Sequence, residues 1–107
     1  MRDDPFYRST RWLKLRQKAL RRDGYMCQIS KRYGKHVPAN LVHHIFPRSQ
    51  YPEYEWELWN LISVSASAHN KLHIRDDDEL TEEGKRLMER TKLVMGNKIS
   101  TIPPTAL

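Results

Sequence analysis

Residues 41–74 read LVHHIFPRSQYPEYEWELWNLISVSASAHNKLHI and carry the clearest structural pattern of the chain. Residues 41–46 are short, rich in β-forming side chains and followed by a proline, which predicts a strand. Residues 47–57 hold two prolines, two tyrosines and three glutamates and predict a loop. Residues 61–65 predict a second strand, and residues 66–74 predict a short helix. The expected order is therefore strand, loop, strand, helix.

Four of the five histidines lie in two close pairs within this stretch. His43 and His44 are adjacent on the first predicted strand, so their side chains point to opposite faces. His69 and His73 are four residues apart, which on a helix places them on one face about 6 Å apart, near enough to share an ion. One strand histidine and two helical ones make a three-nitrogen site with positions left open for water or substrate. His36 has no neighbour at ligand spacing, and we expect it to be an ordinary histidine.

Basic charge is concentrated upstream of this stretch. Residues 1–40 hold 11 Lys/Arg and 3 Asp/Glu, whereas residues 41–107 hold 8 Lys/Arg and 10 Asp/Glu. The net charge of +6 predicts a polyanionic partner, most often nucleic acid. Residues 10–23 predict an amphipathic helix with a basic outer surface. Charge alone leaves open the alternative of a solvated basic helix without a partner.

The flanking segments predict the extent of the domain. Residues 81–95 predict a C-terminal helix with acids in its first turn and basic residues later, which suits the helix dipole. We expect residues 1–96 to form a single domain and residues 97–107 to be a flexible tail. Cys27 is the only cysteine, and no apolar run approaches the ~20 residues that span a bilayer. These features predict a cytoplasmic protein without a membrane partner.

The combined motif resembles a known family. The residues that carry the resemblance are His43-His44-Ile45, Asn60-Leu61 and His69-Asn70-Lys71-Leu72-His73. They resemble the HNH endonucleases, also called His-Me finger or ββα-metal nucleases. The segment Arg22-Asp23-Gly24-Tyr25-Met26-Cys27 more loosely resembles a segment of small phage-encoded members. The resemblance implies an α+β fold, with a ββα-metal core at residues 41–74 made of a two-stranded antiparallel hairpin and a helix. N- and C-terminal helices flank this core.

The resemblance also implies roles for the motif residues in metal-dependent hydrolysis of DNA. His44 matches the general base that takes a proton from the attacking water. Asn60 matches the polar residue that holds that imidazole or its loop. His43 and His69 match metal ligands, and His73 matches a further ligand found in some members. Cleavage to 5′-phosphate and 3′-hydroxyl ends is implied in the same way.

Basic side chains are expected to contact the phosphate backbone without reading bases. The candidates are Arg11, Lys14, Lys18, Arg22, Arg48 and Lys71. For Arg48 and Lys71, a solvated side chain is an equal alternative. No recognition module is visible, so we expect weak sequence preference.

The expected cofactor is one divalent ion, namely Mg, Mn, Zn or Ni. Many small members of the family also carry a structural zinc on four cysteines. Here Cys27 and Ser30 replace the first pair, and residues 65–68 hold no cysteine, so a four-cysteine zinc is excluded. We therefore expect Cys27 to be a small buried residue and core packing to hold the scaffold. The tryptophans expected to contribute to that core are Trp12, Trp56 and Trp59.

The expected partner is DNA, in the cytoplasm of a bacterial host if the protein is phage-encoded. The resemblance further implies a phage terminase or other packaging protein as a partner, and either a monomer or a dimer. A zinc peptidase also uses two helical histidines at this spacing, but its H-E-x-x-H motif needs a glutamate where Asn70 stands. A non-catalytic, metal-stabilised DNA-binding module remains the alternative function, since it needs the metal but not His44.

Overall fold

The two strands predicted at the centre of the chain pair with each other. The structure is a computed structural model that describes residues 4–74 and 79–96. Strand β1 (Leu41–His44) and strand β2 (Leu61–Val64) form an antiparallel sheet. Its register places His43 opposite Ile62 and His44 opposite Leu61. The α+β architecture predicted from the sequence is confirmed.

Side-chain alternation divides the protein into two apolar clusters, one on each face of this small sheet. The face that carries His43 also carries Ile62 and Val64, which belong to the larger cluster with Phe46 and Leu72. The face that carries His44 also carries Val42 and Leu61, which pack with Trp12 and Ala19. The two adjacent histidines therefore lie in different surroundings.

Helix α1 (Thr10–Arg22) covers the face of the sheet that carries His44. It begins where the Ser9 hydroxyl accepts a hydrogen bond from the Trp12 amide at 3.1 Å. Its buried residues are Trp12, Ala19 and Leu20, as the predicted apolar face requires.

A short helix, α2 (Gln28–Arg32), lies between α1 and β1, where no helix was predicted from the sequence. The Cys27 thiol caps its N-terminus, and Gly34 follows it with a φ of 75°. A helix of five residues is too short to show a periodic apolar pattern, which explains why the sequence did not reveal it.

The end of α1 is tied to β2 by a charged network. The Asp23 carboxylate accepts a hydrogen bond from the Ser63 amide at 3.0 Å. Arg22 donates to both oxygens of the same carboxylate, at 2.8 and 2.9 Å. Arg22 also donates to the carbonyl oxygens of Leu58 and Leu61, at 2.8 and 2.6 Å. The guanidinium thus joins α1 to the sheet, whereas the sequence predicted that it would contact DNA.

Helices α3 (Ala66–Asn70) and α4 (Glu82–Val94) complete the layer on the other face. Helix α3 is shorter than predicted, since residues 71 and 72 form a turn instead of a further helical turn. Gly84 lies so close to this turn that a Cβ on it would be 2.5 Å from the Leu72 carbonyl oxygen. A glycine in the first turn of α4 therefore permits the two segments to pack.

The predicted flexible tail, residues 97–107, lies outside the described residues. Within the parts of the chain that are described, no helix has both the length and the apolar character that crossing a membrane requires.

The network around Asp23 leads to a stability prediction. Asp23→Asn removes a charged acceptor and should lower the free energy of unfolding by about 1.5–3 kcal/mol. Burial raises the pKa of Asp23, but hydrogen bonds from Arg22 and Ser63 outweigh it and hold that pKa below the ordinary 3.8. The stabilisation by the Asp23 carboxylate is therefore fully present above pH 3.8 and is lost as the pH falls through the lowered pKa.

Urea denaturation of the parent and of Asp23→Asn across this range measures the effect. Their difference in unfolding free energy should be constant at higher pH and shrink in acid. Glu53→Gln, at an exposed position, is the control and should change little. A difference that persists unchanged at the lowest pH would contradict the proposed charge interaction.

Candidate metal centre

Three histidines from separate segments meet at one point. His43 lies on β1 and is 1% exposed, His69 lies on α3, and His73 follows α3. Their ligand-capable atoms all lie within 4.8 Å of one another. The His43 Nδ1 and His73 Nε2 atoms are 2.9 Å apart. The structure therefore brings together the three histidines that the sequence singled out as metal ligands.

The path by which His73 reaches this cluster differs from the prediction. The sequence placed His69 and His73 on one helix, but α3 ends at Asn70. The chain then turns, and His73 forms an isolated antiparallel bridge with Leu80. The ring centroids of His69 and His73 are nevertheless 4.6 Å apart. His73 is therefore positioned by backbone pairing with the segment before α4, and not by its place on the same helix as His69.

The electrostatics of His43 suit a ligand that must be neutral. Burial, followed by the nearby rings of His73 and His69, holds the pKa of His43 well below the ordinary histidine range. A neutral imidazole offers a lone pair, which is the form that binds a metal ion. The His43 Nε2 atom is buried and makes no hydrogen bond with the described residues. An imidazole kept neutral, buried and incompletely hydrogen-bonded is unusual as a simple core residue.

The spacing of the nitrogens also fits a divalent ion. Two neighbouring ligands at about 2.1 Å from one ion lie roughly 3–3.4 Å apart, depending on its coordination geometry. The separation of 2.9 Å between His43 Nδ1 and His73 Nε2 is just below that range, and it suits a direct hydrogen bond when no ion is bound. Residues His43, His69 and His73 could thus hold an ion.

His44 lies outside this group of three ligands. Its ring stacks on Trp12, with centroids 5.1 Å apart and an interplanar angle of 23°. Its Nε2 atom is 3.1 Å from the Glu55 carbonyl oxygen. Because a carbonyl only accepts, Nε2 carries the proton of the neutral ring, and Nδ1 is the basic nitrogen. His44 is only 7% exposed, so it is much less open to water than a general base was expected to be.

Asn60 ties the loop between the strands together. It is fully buried, and its side-chain oxygen accepts a hydrogen bond from the Phe46 amide at 2.7 Å. Its side-chain nitrogen donates to the carbonyl oxygens of Phe46 and Tyr54, each at 3.1 Å. Tyr54 immediately precedes Glu55, whose carbonyl faces His44. Asn60 therefore supports the loop that contacts His44, since its side-chain hydrogen bonds go to backbone groups of Phe46 and Tyr54.

The predicted phosphate contacts fall into two groups. Four of them are exposed: Arg11, Lys14 and Lys18 on α1, and Lys71 after α3. Arg48 is different, because its guanidinium is 2.9 Å from the Asp4 carboxylate and 3.1 Å from that of Glu55. It also lies 3.8 Å over the Phe6 ring. Arg48 thus binds groups within the protein, as Arg22 does, and its side chain is only partly exposed.

Cys27 lies where the resemblance would place a structural zinc. It is fully buried, and its sulfur accepts hydrogen bonds from the Ser30 hydroxyl and amide, at 3.3 and 3.5 Å. Burial raises the pKa of the thiol, but hydrogen bonds from Ser30 and Ser65 outweigh it and bring the pKa to about 7. A serine-lined thiol therefore occupies this corner, in agreement with the predicted absence of a four-cysteine site.

Sequence reasoning did not identify the residues that surround His44. Phe6 lies 5.7 Å from the His44 ring and 4.5 Å from the Trp56 ring, measured between centroids. Glu55 contributes its backbone carbonyl. Every residue has such a group, so the residue type could not have pointed to Glu55. Phe6 and His44 are far apart along the chain, and no local pattern connects them.

An open groove of about 500 Å³ lies away from the histidines. Its lining includes Leu87, Val94 and Met95 of the C-terminal segment, and Lys31 and Arg90 line it too. None of the four motif histidines lines it. Concavity alone therefore does not locate the histidine cluster, which is recognised by its chemistry.

Comparison with known proteins decides the family. A scan against protein-family models found no match, and a search of curated proteins found none either. A search of solved structures found the crystal structure of the HNH endonuclease of the deep-sea thermophilic bacteriophage GVE2 with a manganese ion. The two chains are 30% identical with a TM-score of 0.61, over 64% of this chain and 75% of the phage protein. The chain belongs to the HNH endonuclease family.

Membership of the HNH family confirms the resemblance inferred from the motif and places the chain among nucleases. It also agrees with the ββα arrangement of β1, β2 and α3, since this is the core that the family was expected to have. The cluster of three histidines supports the binding of a metal ion.

The cluster leads to a prediction about metal binding. Adding Zn, Ni or Mn at about 100 times its dissociation constant should stabilise the parent by roughly 2.7 kcal/mol. For a domain of this size that corresponds to a rise in Tm of about 10–20 °C, at roughly 4–8 °C per kcal/mol. His69→Ala should lose most of the rise, because it removes one of three ligands.

Thermal denaturation with and without each ion, and with EDTA, measures this effect. His36→Ala is the matched control, since His36 is exposed and outside the cluster. An equal rise in Tm for the parent and His69→Ala would place the ion elsewhere.

Proposed function

We propose that this HNH protein is a metal-dependent endonuclease that hydrolyses phosphodiester bonds in DNA. The observation that carries the proposal is the convergence of His43, His69 and His73 on the fold of this family. Phosphodiester hydrolysis needs an activated water, neutralised phosphoryl oxygens and a stabilised leaving oxygen. The residues around the cluster supply groups suited to each need.

In this proposal His43, His69 and His73 hold one divalent ion. When bound, that ion would supply positive charge to a phosphate oxygen and to the leaving 3′ oxygen. The candidate ions are Mg, Mn, Zn and Ni. Imidazole ligands favour Zn and Ni by affinity, which does not exclude the other two. The manganese of the phage GVE2 enzyme supports Mn as one candidate.

His44 is the proposed general base. It is outside the group of ligands, so its basic nitrogen is not committed to the ion. The hydrogen bond between Nε2 and the Glu55 carbonyl sets the tautomer in which Nδ1 can accept a proton from water. Asn60 supports this arrangement by holding the adjacent Tyr54 carbonyl. Cleavage would leave 5′-phosphate and 3′-hydroxyl ends.

The exposed basic residues of α1 are the proposed DNA contact surface. Arg11, Lys14 and Lys18 lie on the solvent side of α1, and Lys71 lies next to the cluster in sequence. Contacts of this kind neutralise phosphates and carry little sequence information. We therefore propose binding with weak sequence preference.

A role in phage DNA processing or packaging, beside a terminase, is the proposed biological setting. Its support is the bacteriophage origin of the similar structure. One active site cuts one strand, so a monomer would suffice for a nick, and a double-strand break would need two active sites, as in a dimer.

A non-catalytic DNA-binding module is the second candidate function. It is favoured by a specific observation, the 7% exposure of His44, because a base must reach water. Such a module would keep metal binding and DNA binding and would lack cleavage.

The proposed base leads to a prediction that separates the two functions. His44→Ala should lower the rate of plasmid cleavage by about 10²- to 10⁴-fold, because it removes the acceptor for the proton of the attacking water. Its metal-induced rise in Tm should match that of the parent. Gel analysis of supercoiled, nicked and linear plasmid over time, with Mg, Mn, Ni and Zn in turn, measures the rate.

His36→Ala is the matched control and should cleave as the parent does. Retained cleavage by His44→Ala would refute the assignment of the base. A parent protein that cleaves with none of these ions, yet binds metal and DNA, would favour the non-catalytic module.

The proposed DNA surface leads to a further prediction. Lys14→Gln and Lys18→Gln should raise KM for DNA while leaving kcat unchanged. Each should reduce the slope of log affinity against log salt by about 0.9 if the lysine neutralises one phosphate. Binding titrations of a labelled duplex at several salt concentrations measure the slope. Lys85→Gln, on exposed α4, is the control, and an equal change for all three variants would argue against a contact surface on α1.

A further inference from the structure

Arg48 occupies a central position among the groups that enclose His44. Its guanidinium contacts two carboxylates, one from Asp4 and one from Glu55. It also lies over the Phe6 ring at 3.8 Å, in a cation–π geometry. The guanidinium hydrogen bond to Asp4, then the Phe6 amide, holds the pKa of that carboxyl below its ordinary range, which is consistent with an ion pair. These contacts give Arg48 a defined place in the protein.

Glu55 connects Arg48 to the proposed base through two different groups. Its side chain accepts a hydrogen bond from Arg48 at 3.1 Å. Its backbone carbonyl lies 3.1 Å from His44 Nε2. The residue before it is held by Asn60 through the Tyr54 carbonyl, and the Glu55 amide donates to the Pro52 carbonyl at 3.2 Å. Restraint of both the side chain and the preceding peptide limits where the Glu55 carbonyl can point.

Phe6 provides a second connection between Arg48 and His44. The Asp4–Arg48 ion pair and the stacking of Arg48 on Phe6 hold the segment that precedes α1. Phe6 in turn lies 5.7 Å from the His44 ring and 5.4 Å from the Trp12 ring on which His44 stacks. Loss of Arg48 would therefore release both the hydrogen-bonding partner of His44 and one of its neighbouring rings.

We infer that Arg48 is a positioning residue, which orients His44 by holding the Glu55 carbonyl and the Phe6 ring. The inference rests on the proposed function, in which His44 is the general base. It replaces the expectation that Arg48 contacts phosphate. A small misplacement of a catalytic group is costly in rate, whereas a lost phosphate contact is costly mainly in DNA affinity.

Substitution by lysine and by methionine separates the two roles. Lysine keeps the charge that a phosphate contact needs, but it lacks the planar fork that binds two carboxylates and stacks on a ring. A positioning role predicts that Arg48→Lys and Arg48→Met both lower kcat by about 10- to 100-fold with KM for DNA unchanged. Arg86→Lys and Arg86→Met, at an exposed position of α4, are the matched controls and should cleave as the parent does.

Glu55→Gln provides an independent variant with opposite expectations for the two roles. It weakens the contact with Arg48, so a positioning role predicts a lower kcat. If Arg48 instead contacts phosphate, the same variant frees the guanidinium and lowers KM. This variant also decides the question if the Arg48 variants do not fold, which circular dichroism and thermal denaturation will reveal.

A readout independent of cleavage completes the test. Ring nitrogen chemical shifts of His44, measured by NMR at one fixed pH on metal-loaded protein, report which nitrogen carries the proton. The parent and the Arg86 variants should show the Nε2-protonated tautomer, and Arg48→Lys and Arg48→Met should show a mixture of tautomers. If His44→Ala retains cleavage, the assignment of His44 as the base fails, yet these shifts still show whether Arg48 orients the ring.

Three results would overturn the inference. The first is full activity in Arg48→Lys with a raised KM in Arg48→Met, which indicates a phosphate contact. The second is a higher kcat in either Arg48 variant, which indicates that the Phe6 segment restricts access to His44. The third is an unchanged kcat and an unchanged tautomer in every variant.

Discussion

The antiparallel pairing of β1 with β2 is the constraint on which the site depends. Successive side chains of a strand point to opposite faces, so the register that places His43 opposite Ile62 also places His44 opposite Leu61. A shift of one residue would exchange the surroundings of the two histidines. His43 would lose its contact with His69 and His73, and His44 would lose its stacking on Trp12. The alternation of side chains along β1 therefore places the proposed ligand, His43, and the proposed base, His44, on opposite faces of the sheet.

The same pairing is supported from outside the sheet by polar groups with defined partners. Asp23 and Arg22 bind backbone groups of β2 and of the segment before it. Asn60 satisfies three backbone groups of the loop that joins the strands. A sheet of two short strands is marginal by itself, so these contacts and the two apolar clusters supply what the sheet lacks. The chain has a single cysteine, so a four-cysteine zinc cannot add to this support.

Much of the fold and of the ligand set could be predicted from local patterns. The apolar face of α1, the acidic first turn of α4 and the two β-rich segments are periodic or compositional signals. The pairs His43-His44 and His69-x-x-x-His73 stand out because imidazoles at ligand spacing are uncommon by chance. Helix α2 and the shortened α3 could not be predicted, since elements of five residues carry almost no periodic signal.

Local sequence was enough to predict the candidate ligands, the alternation that separates His43 from His44, and the basic surface of α1. Only the tertiary structure decided how His73 arrives beside His43, because a bridge to Leu80 and not a helical turn positions it. It also decided that Arg22 and Arg48 bind groups within the protein, since their carboxylate and carbonyl partners include residues from other segments of the chain. A charged side chain in a sequence shows what it can bind, whereas its partner depends on which distant groups the fold brings within hydrogen-bonding distance.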